Sequence, residues 1–404
     1  MDNSELFAML GAAGMPPVPR EFSVVPTHQA IGKRILDEVE RFVAVFDAVT
    51  SRPQWQRAVT RRAPSIARVP HTETCFFSAW DIHIPPSEPE RWKLIEFNDN
   101  GSGFMFAACI NRLYYEWKGL ASRADLEPPP LLDDFARHIA DMVEHEARKF
   151  FGHVPEGLFL ILDDEASLAS GKFRREHEML RTAFEARGWR ASMAPPSGLS
   201  ADASGLRVGT DPVSFVVNRS TDFFWEASAF EPLRAAWSAG SVYVAPNPFT
   251  YATRSDKSLL IPLPGAGNDL ELGIEPAERA VLDAHVPSTL PIEESNLDEL
   301  ARRKRQLVFK PAHGHAGRGL LRSDQLGRSR LRRLLASGEQ YVAQMRVPRP
   351  SLKPQGAVDA RLWTDFRVWA YAGKRFLISG RASTDPDGLE LGPPGGWLPT
   401  YCRR

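Results

Sequence analysis

The chain has 404 residues, 43% of them hydrophobic and 25% charged, with fifty Lys and Arg balancing fifty Asp and Glu. That length builds two or three packed lobes rather than one small core, and the even charge excludes a whole-chain attraction to nucleic acid or to an anionic membrane. Three cysteines, Cys75, Cys109 and Cys402, are too few and too scattered for a disulfide framework or a zinc site. With no basic and apolar leader after Met1 and no apolar run of membrane-spanning length, a reducing, cytoplasmic setting is expected.

Residues 1–27, rich in Gly and Pro, read as a loosely ordered arm. Apolar residues at helical spacing (Ile31, Ile35, Val39, Phe42, Val45, Phe46) predict a helix over 28–50. A strand over 74–84 is stopped by Pro85 and Pro86, and a second strand covers 92–97 before the turn Asn98-Asp99-Asn100-Gly101. Helices over 104–117 and 131–150 complete a first unit, 1–150. In a second unit, 151–240, a strand over 158–162, a helix over 173–187, a strand over 189–193 and a strand ending at Asn218-Arg219 alternate as β–α–β, which implies a small parallel sheet and an α/β class. The third unit, 241–404, holds strands over 307–309 and 341–347 and a hairpin of 362–371 with 374–383, turning at Ala372-Gly373.

Four constellations carry chemistry. The first is a strand ending at Lys310-Pro311 and followed by Gly314, Gly317 and Gly319. Glycines let a backbone approach polyphosphate, and the lysine supplies a point charge. No Gly-Lys-Ser/Thr closes the loop, so it is not a Walker loop; tight hairpin turns are the structural alternative. The second is Glu96-Phe97-Asn98. Alternate strand positions share a face, and a carboxylate beside an amide oxygen suits magnesium, with Asp81 on the preceding strand as a further ligand. A capped strand end is its alternative. The third is Asp365-Phe366-Arg367 with Arg381 on the next strand. Two arginines can clamp carboxylate or phosphate, or merely form cross-strand ion pairs. The fourth is Ser255-Asp256-Lys257, a lysine at a helix start within reach of phosphate, or else a plain cap.

Together these residues resemble the ATP-grasp family. Leu307-Val308-Phe309-Lys310-Pro311 and its glycines resemble the family's nucleotide-binding core. Residues 341–347, with Gln344, Met345 and Val347, resemble the hinge strand that holds adenine, and Asp365-Phe366-Arg367 with Arg381-Ala382-Ser383 resembles its arginine strands. The family's Glu-x-Asn motif ordinarily comes last; here Leu94-Ile95-Glu96-Phe97-Asn98 comes early, with Asp81 before it. That order resembles the circularly permuted branch that includes the synthetase domain of glutathionylspermidine synthetase, as does Asn218-Arg219-Ser220-Thr221-Asp222. Two departures stand out: Ala79 occupies a position where that branch has a phosphate-gripping arginine, and a Pro-rich insert separates Asp81 from Glu96.

The resemblance implies a permuted ATP-grasp fold with a small pre-ATP-grasp-like lobe. It implies a ligase that uses ATP and Mg2+ to activate a small-molecule or peptide carboxylate, as an acyl phosphate, for attack by an amine. Asp81, Glu96 and Asn98 would hold magnesium. Lys257, Lys310, Gly314, Gly317, Gly319, Gln344, Met345 and Val347 would hold the nucleotide, and Arg367 and Arg381 would stabilise the transferring phosphoryl group. Two other readings compete. One is an ATP-binding regulatory or assembly protein without ligase chemistry, which Ala79 favours. The other is a nucleic-acid module built on the basic runs 302–305 and 328–333, but those residues alternate with leucines as a solvated amphipathic face does, without interleaved aromatics. His313 and His315 read as exposed loop residues. Phe223, Phe224 and Trp225 read as packing at a domain interface.

Overall fold

The computed structural model of the chain describes residues 4–404 apart from 16–22, 75, 266, 314–318, 322–325, 354–360, 387 and 389–390. Cys75, Gly314, His315 and Gly317 therefore lie outside the described residues.

A six-stranded sheet, antiparallel at every pairing, carries the centre of the molecule. Its main path runs Gly396–Leu398, Lys374–Ser383, Leu362–Tyr371, Ser78–His83, Lys93–Asn98, with Ser351–Leu352 paired off that path to Leu362–Tyr371. Two strands from the early chain thus sit in one sheet with four from its last quarter. The period-2 pattern assigns the faces. Trp80, Ile82, Phe366, Val368 and Ala370 join a core under helices Lys33–Thr50 and Pro276–His285. Asp81, Asp365 and Arg367 are their odd-numbered neighbours, on the opposite face. In Lys93–Asn98 the register slips opposite Asp81 and Ile82, whose partners are Glu96 and Leu94. This bulge lets Leu94 and Phe97 both enter that core while Glu96 stands directly across from Asp81.

The predicted hairpin turns at Ala372 (φ 49°) and Gly373 (φ 76°), the two left-handed residues that a tight two-residue hairpin loop requires. Helices Phe104–Trp117 and Leu132–Phe151 contribute to a second core between the central sheet and a parallel sheet, where Trp369, Phe104, Ile139, Phe159 and Phe215 belong to one apolar cluster. In the parallel sheet Leu158–Leu162 lies between Ala191–Ala194 and Asp211–Asn218, as the β–α–β alternation predicts. The sheet also takes in Tyr243–Ala245, past the expected boundary at 240, and an antiparallel hairpin, Leu199–Asp202 with Gly205–Val208. A three-stranded antiparallel sheet, in the order Thr289–Pro291, Tyr341–Met345, Leu307–Pro311, packs on helices Leu297–Arg303 and Arg328–Ser337.

The N-terminal arm differs from expectation. Ser4–Ala12 is helical, and Leu6 and Leu10, one turn apart, are buried in the core shared by the central and parallel sheets. The helix read over 28–50 begins at Lys33, because Gln29–Gly32 pairs in parallel with Thr400–Arg403 at the other end of the chain.

Candidate functional site

The central sheet and the three-stranded sheet face each other across a cleft of about 570 Å³, lined by Asp81, Glu96, Lys310, Gln344, Met345, Val347 and Arg381 among others. Seven residues chosen from widely separated motifs thus share one cavity. Glycine 319 is not among its lining residues, although Leu320 is. It bends the chain there with φ +77°, and its carbonyl accepts from the Tyr341 hydroxyl at 3.2 Å.

Register brings the acids and bases together. Asp365 pairs directly with Arg381, Arg367 with Asp81, and Asp81 with Glu96. Arg367 grips Asp81 in bidentate fashion, Nε to Oδ1 at 2.6 Å and Nη2 to Oδ2 at 2.7 Å. Arg381 bridges two carboxylates, reaching Asp365 at 2.6 Å and Asp81 at 2.9 Å through Nη2. Asp81, Asp365 and Arg381 are buried, so this is not the solvated ion pair that costs and contributes little. Burial alone would raise the Asp81 pKa; Arg367 and Arg381 outweigh it and hold the carboxyl well below its ordinary range. Burial would likewise discharge Arg381, and Asp365 and Asp81 reverse that, raising its pKa.

The nucleotide-side lysines take different partners. Lys310 Nζ donates to Gln344 Oε1 at 2.8 Å and to the Ile95 carbonyl at 3.1 Å. Because lysine only donates, that contact fixes the Gln344 amide orientation and leaves its Nε2 buried without a partner among the described residues. Burial is the main reason the Lys310 pKa falls to about 8; Glu96 opposes the fall and Lys257 adds to it. Lys257 opens a short helical turn, Lys257–Leu260, that Asp256 caps by accepting from Ser258 N at 2.8 Å. The capping alternative is therefore present, and the lysine still reaches into the site, its Nζ 3.1 Å from Glu96. A single π-turn, Tyr251–Ser255, precedes it, and on it Tyr251 stacks on Phe223 at 4.2 Å and meets His313 Nδ1 at 3.3 Å. Trp225 is fully buried against Trp237 and Phe230 in the core of the parallel-sheet lobe.

Asn98 pairs with Ala79, two residues beyond Glu96, and does not line the cleft. The loop after it ties the site to the parallel sheet. Arg219, at the end of strand Asp211–Asn218, donates to Ser102 Oγ at 2.6 Å, and Arg367 Nη1 lies 3.5 Å from the Ser102 carbonyl. Glu176, buried on helix Arg174–Glu185, accepts from Gly103 N and Met105 N and so caps helix Phe104–Trp117. Sequence reasoning missed Glu176 and His83. A buried glutamate within an amphipathic helix gives no local signal. His83 follows Asp81 at strand spacing, lines the cleft, and sets Nδ1 3.0 Å from the Val347 carbonyl; burial lowers its pKa to about 4.

Among the described residues no group of three His, Cys, Asp or Glu is arranged to hold a metal ion, and no helix is long and apolar enough to cross a membrane. The basic runs are engaged on the surface: Arg303 with Glu299, Arg328 with Asp298, Arg332 with Glu294.

No protein-family model and no curated protein matches the chain. Among solved structures it is similar to an apo-form glutathione synthetase-like effector, GSS30, from Globodera pallida, with 10% identity and a TM-score of 0.61 over 99% of this chain and 96% of that one. It also aligns with a protein described as a gamma-glutamylcysteine synthetase of Methylobacillus flagellatus, at 12% identity and TM-score 0.47 over 92% of this chain and 87% of that one. A third alignment is with the ATP-grasp ligase PsnB complexed with minimal precursor, at 12% identity and TM-score 0.33 over 60% of this chain and 89% of that one. The chain shares the mixed helix-and-sheet fold of the glutathione synthetase-like effector.

Proposed function

We propose that the chain is an ATP- and magnesium-dependent ligase of the circularly permuted ATP-grasp branch, joining a small-molecule or peptide carboxylate to an amine. One observation carries this reading: Lys310, Gln344, Glu96, Asp81 and Arg381, from motifs up to three hundred residues apart, line a single cleft. The early position of strands Ser78–His83 and Lys93–Asn98 beside Leu362–Tyr371 supports the permuted order.

The residues fit a triphosphate with its metal better than a bare dication. Lys310, Arg346, Arg349 and Arg381 line the cleft with Asp81, Glu96, Asp365 and Asp385, and Lys257 and Arg367, just outside the lining, add positive charge through their contacts with Glu96 and Asp81. Asp81 Oδ2 already accepts from both arginines, and Oδ1 accepts from one, leaving one lone pair there. Glu96, with that lone pair, would hold magnesium once phosphate oxygens complete its shell, and Asn98, outside the cleft lining, is left out of that set. When bound, the ion neutralises charge on the phosphates. Lys310 and Lys257 contribute point charges to the same oxygens. The orphaned Gln344 amide gains an acceptor. Arg367 and Arg381, held rigidly by Asp81 and Asp365, offer their remaining N–H groups to the substrate carboxylate or to the phosphoryl group it receives. The carboxylate would take the γ-phosphoryl group of ATP, releasing ADP, and the amine would then displace inorganic phosphate and lose a proton, the protein acting by position and electrostatics without a covalent nucleophile.

The test is ADP release with mixtures of amino acids, polyamines and short peptides. Wild type is expected to turn over with at least one mixture, and Glu96→Ala to lose turnover while melting as wild type does. Near-normal turnover in Glu96→Ala refutes the metal assignment. The engagement of Asp81 by two arginines, with Ala79 two residues before it, favours a second reading, an ATP-binding regulatory protein. It predicts nucleotide binding with no ADP release from any mixture.

A further inference from the structure

The loop that follows strand Lys93–Asn98 is held from several sides. Asp99 N donates to Ser255 Oγ at 3.2 Å, Gly101 N to the Phe77 carbonyl at 3.1 Å, and Trp369 Nε1 to the Gly101 carbonyl at 2.9 Å. A Cβ at Gly101 would collide with the Phe77 carbonyl oxygen, so this backbone lies directly on the central sheet. The remaining ties come from the parallel-sheet lobe and converge on Arg219. Its carbonyl accepts from Asn100 Nδ2 at 2.8 Å, and its Nη2 reaches Ser102 Oγ at 2.6 Å and Glu176 Oε2 at 3.4 Å. The Ser102 carbonyl in turn faces Arg367 Nη1 at 3.5 Å, and Arg367 grips Asp81 in the cleft. The side chains of Arg219 and Glu176 are 1% and 0% exposed, and burying a guanidinium is costly even beside a carboxylate. Capping helix Phe104–Trp117 does not require it, since Glu176 alone accepts from Gly103 N and Met105 N. What the guanidinium adds is a donor fixed on Ser102, between the strand that carries Glu96 and the arginine that holds Asp81.

We propose that Arg219 is a positioning residue for the ligation: from the parallel-sheet lobe it fixes loop 99–103 through Ser102, and with that loop the placing of Glu96, Arg367 and Asp81 relative to one another. The inference rests on the reading of the cleft as a ligase site. Arg219 does not line the cleft, so its effect passes through the loop and not through contact with the reactants. Nucleotide binding draws on Lys310 and Lys257 and survives a small displacement of the loop. Phosphoryl transfer needs its partners aligned and does not.

The experiment measures ADP release by full-length protein, with a mixture of amino acids, polyamines or short peptides that wild type turns over, beside calorimetric binding of a non-hydrolysable ATP analogue with magnesium. It compares wild type with Arg219→Met, Arg219→Lys, Ser102→Ala and the double variant of Arg219→Met with Ser102→Ala. Arg219→Met and Ser102→Ala are each expected to lower kcat by about 10- to 100-fold, with KM for ATP and analogue affinity as in wild type. The double variant is expected to be no slower than the slower single variant, because both substitutions remove one contact. Arg219→Lys keeps a charge and a donor beside Glu176 and Ser102, and should regain part of the rate. Ser102→Ala at the wild-type kcat overturns the inference while leaving the ligase reading standing, and it decides the matter even where Arg219→Met does not fold. Losses that multiply in the double variant, or that fall on analogue affinity as heavily as on kcat, also overturn it. A wild type that releases no ADP with any mixture overturns the ligase reading, and this inference with it.

Discussion

Lys310 is held between a strand carbonyl and an amide oxygen, and its environment makes its charge conditional. Its pKa lies at about 8, lowered by burial. Phosphate favours the charged form. Below pH 8 that charge is already present; above it, nucleotide binding must take up a proton. Affinity for an ATP analogue should therefore hold from pH 6 to 7.5 and then decline, by up to about tenfold per pH unit. In Lys310→Met this pH-dependent part of the affinity should be absent, which calorimetry across pH checks. The arginine–aspartate ladder makes a different demand. Arg381→Ala leaves Asp365 buried without its partner and strips Asp81 of one of two, so a loss of about 3–5 kcal/mol is expected from chemical denaturation. At this scale the motif residues were legible, because Lys-Pro before glycines, Glu-x-Asn and Asp-x-Arg each name a chemistry. Their mutual engagement was not. Nothing in the local sequence of Asp81 says that Arg367, 286 positions away, will stand opposite it.

The hairpin of Leu362–Tyr371 with Lys374–Ser383 shows an element written plainly in sequence, with alternating strands about an Ala-Gly turn. Ala372 nevertheless holds a positive φ that costs a residue with a Cβ. Ala372→Asn is expected to raise stability by about 0.5–1 kcal/mol, since asparagine tolerates that conformation, and a higher midpoint in urea checks it. Strand Lys93–Asn98 shows the opposite case. Its bulge follows from the need to bury both Leu94 and Phe97, and a strict period of two cannot announce it. Past strand Leu158–Leu162, Asp163 is buried beside His177, and burial raises its pKa to about 7. The native state thus keeps a proton that the unfolded chain releases above pH 4. This contribution is present below that value and is lost as pH rises toward 7. Asp163→Asn, which has no proton to lose, should gain stability relative to wild type over that interval in melting scans at fixed pH values.

Across the whole molecule the chain returns on itself. Gln29–Gly32 pairs with Thr400–Arg403, and the early strands complete a sheet begun by the late ones. The N-terminal arm is ordered by the same long-range assembly: Leu6, Leu10, Met15 and Val24 are buried in the core shared by the central and parallel sheets, which no short stretch of sequence announces. Glu146 fastens the two large sheets, accepting from the hydroxyls of Tyr243 in the parallel sheet and Tyr371 in the central one. The cleft therefore rests on a frame assembled from distant parts of the chain.

The most direct test of the nucleotide site is titration of full-length protein with a non-hydrolysable ATP analogue, with and without magnesium, for wild type and Lys310→Ala. The account predicts binding to wild type that tightens with magnesium, no measurable heat from magnesium alone, and binding at least about tenfold weaker in Lys310→Ala at unchanged melting temperature. Wild type that binds no analogue under either condition, or Lys310→Ala that binds it as wild type does, would contradict it.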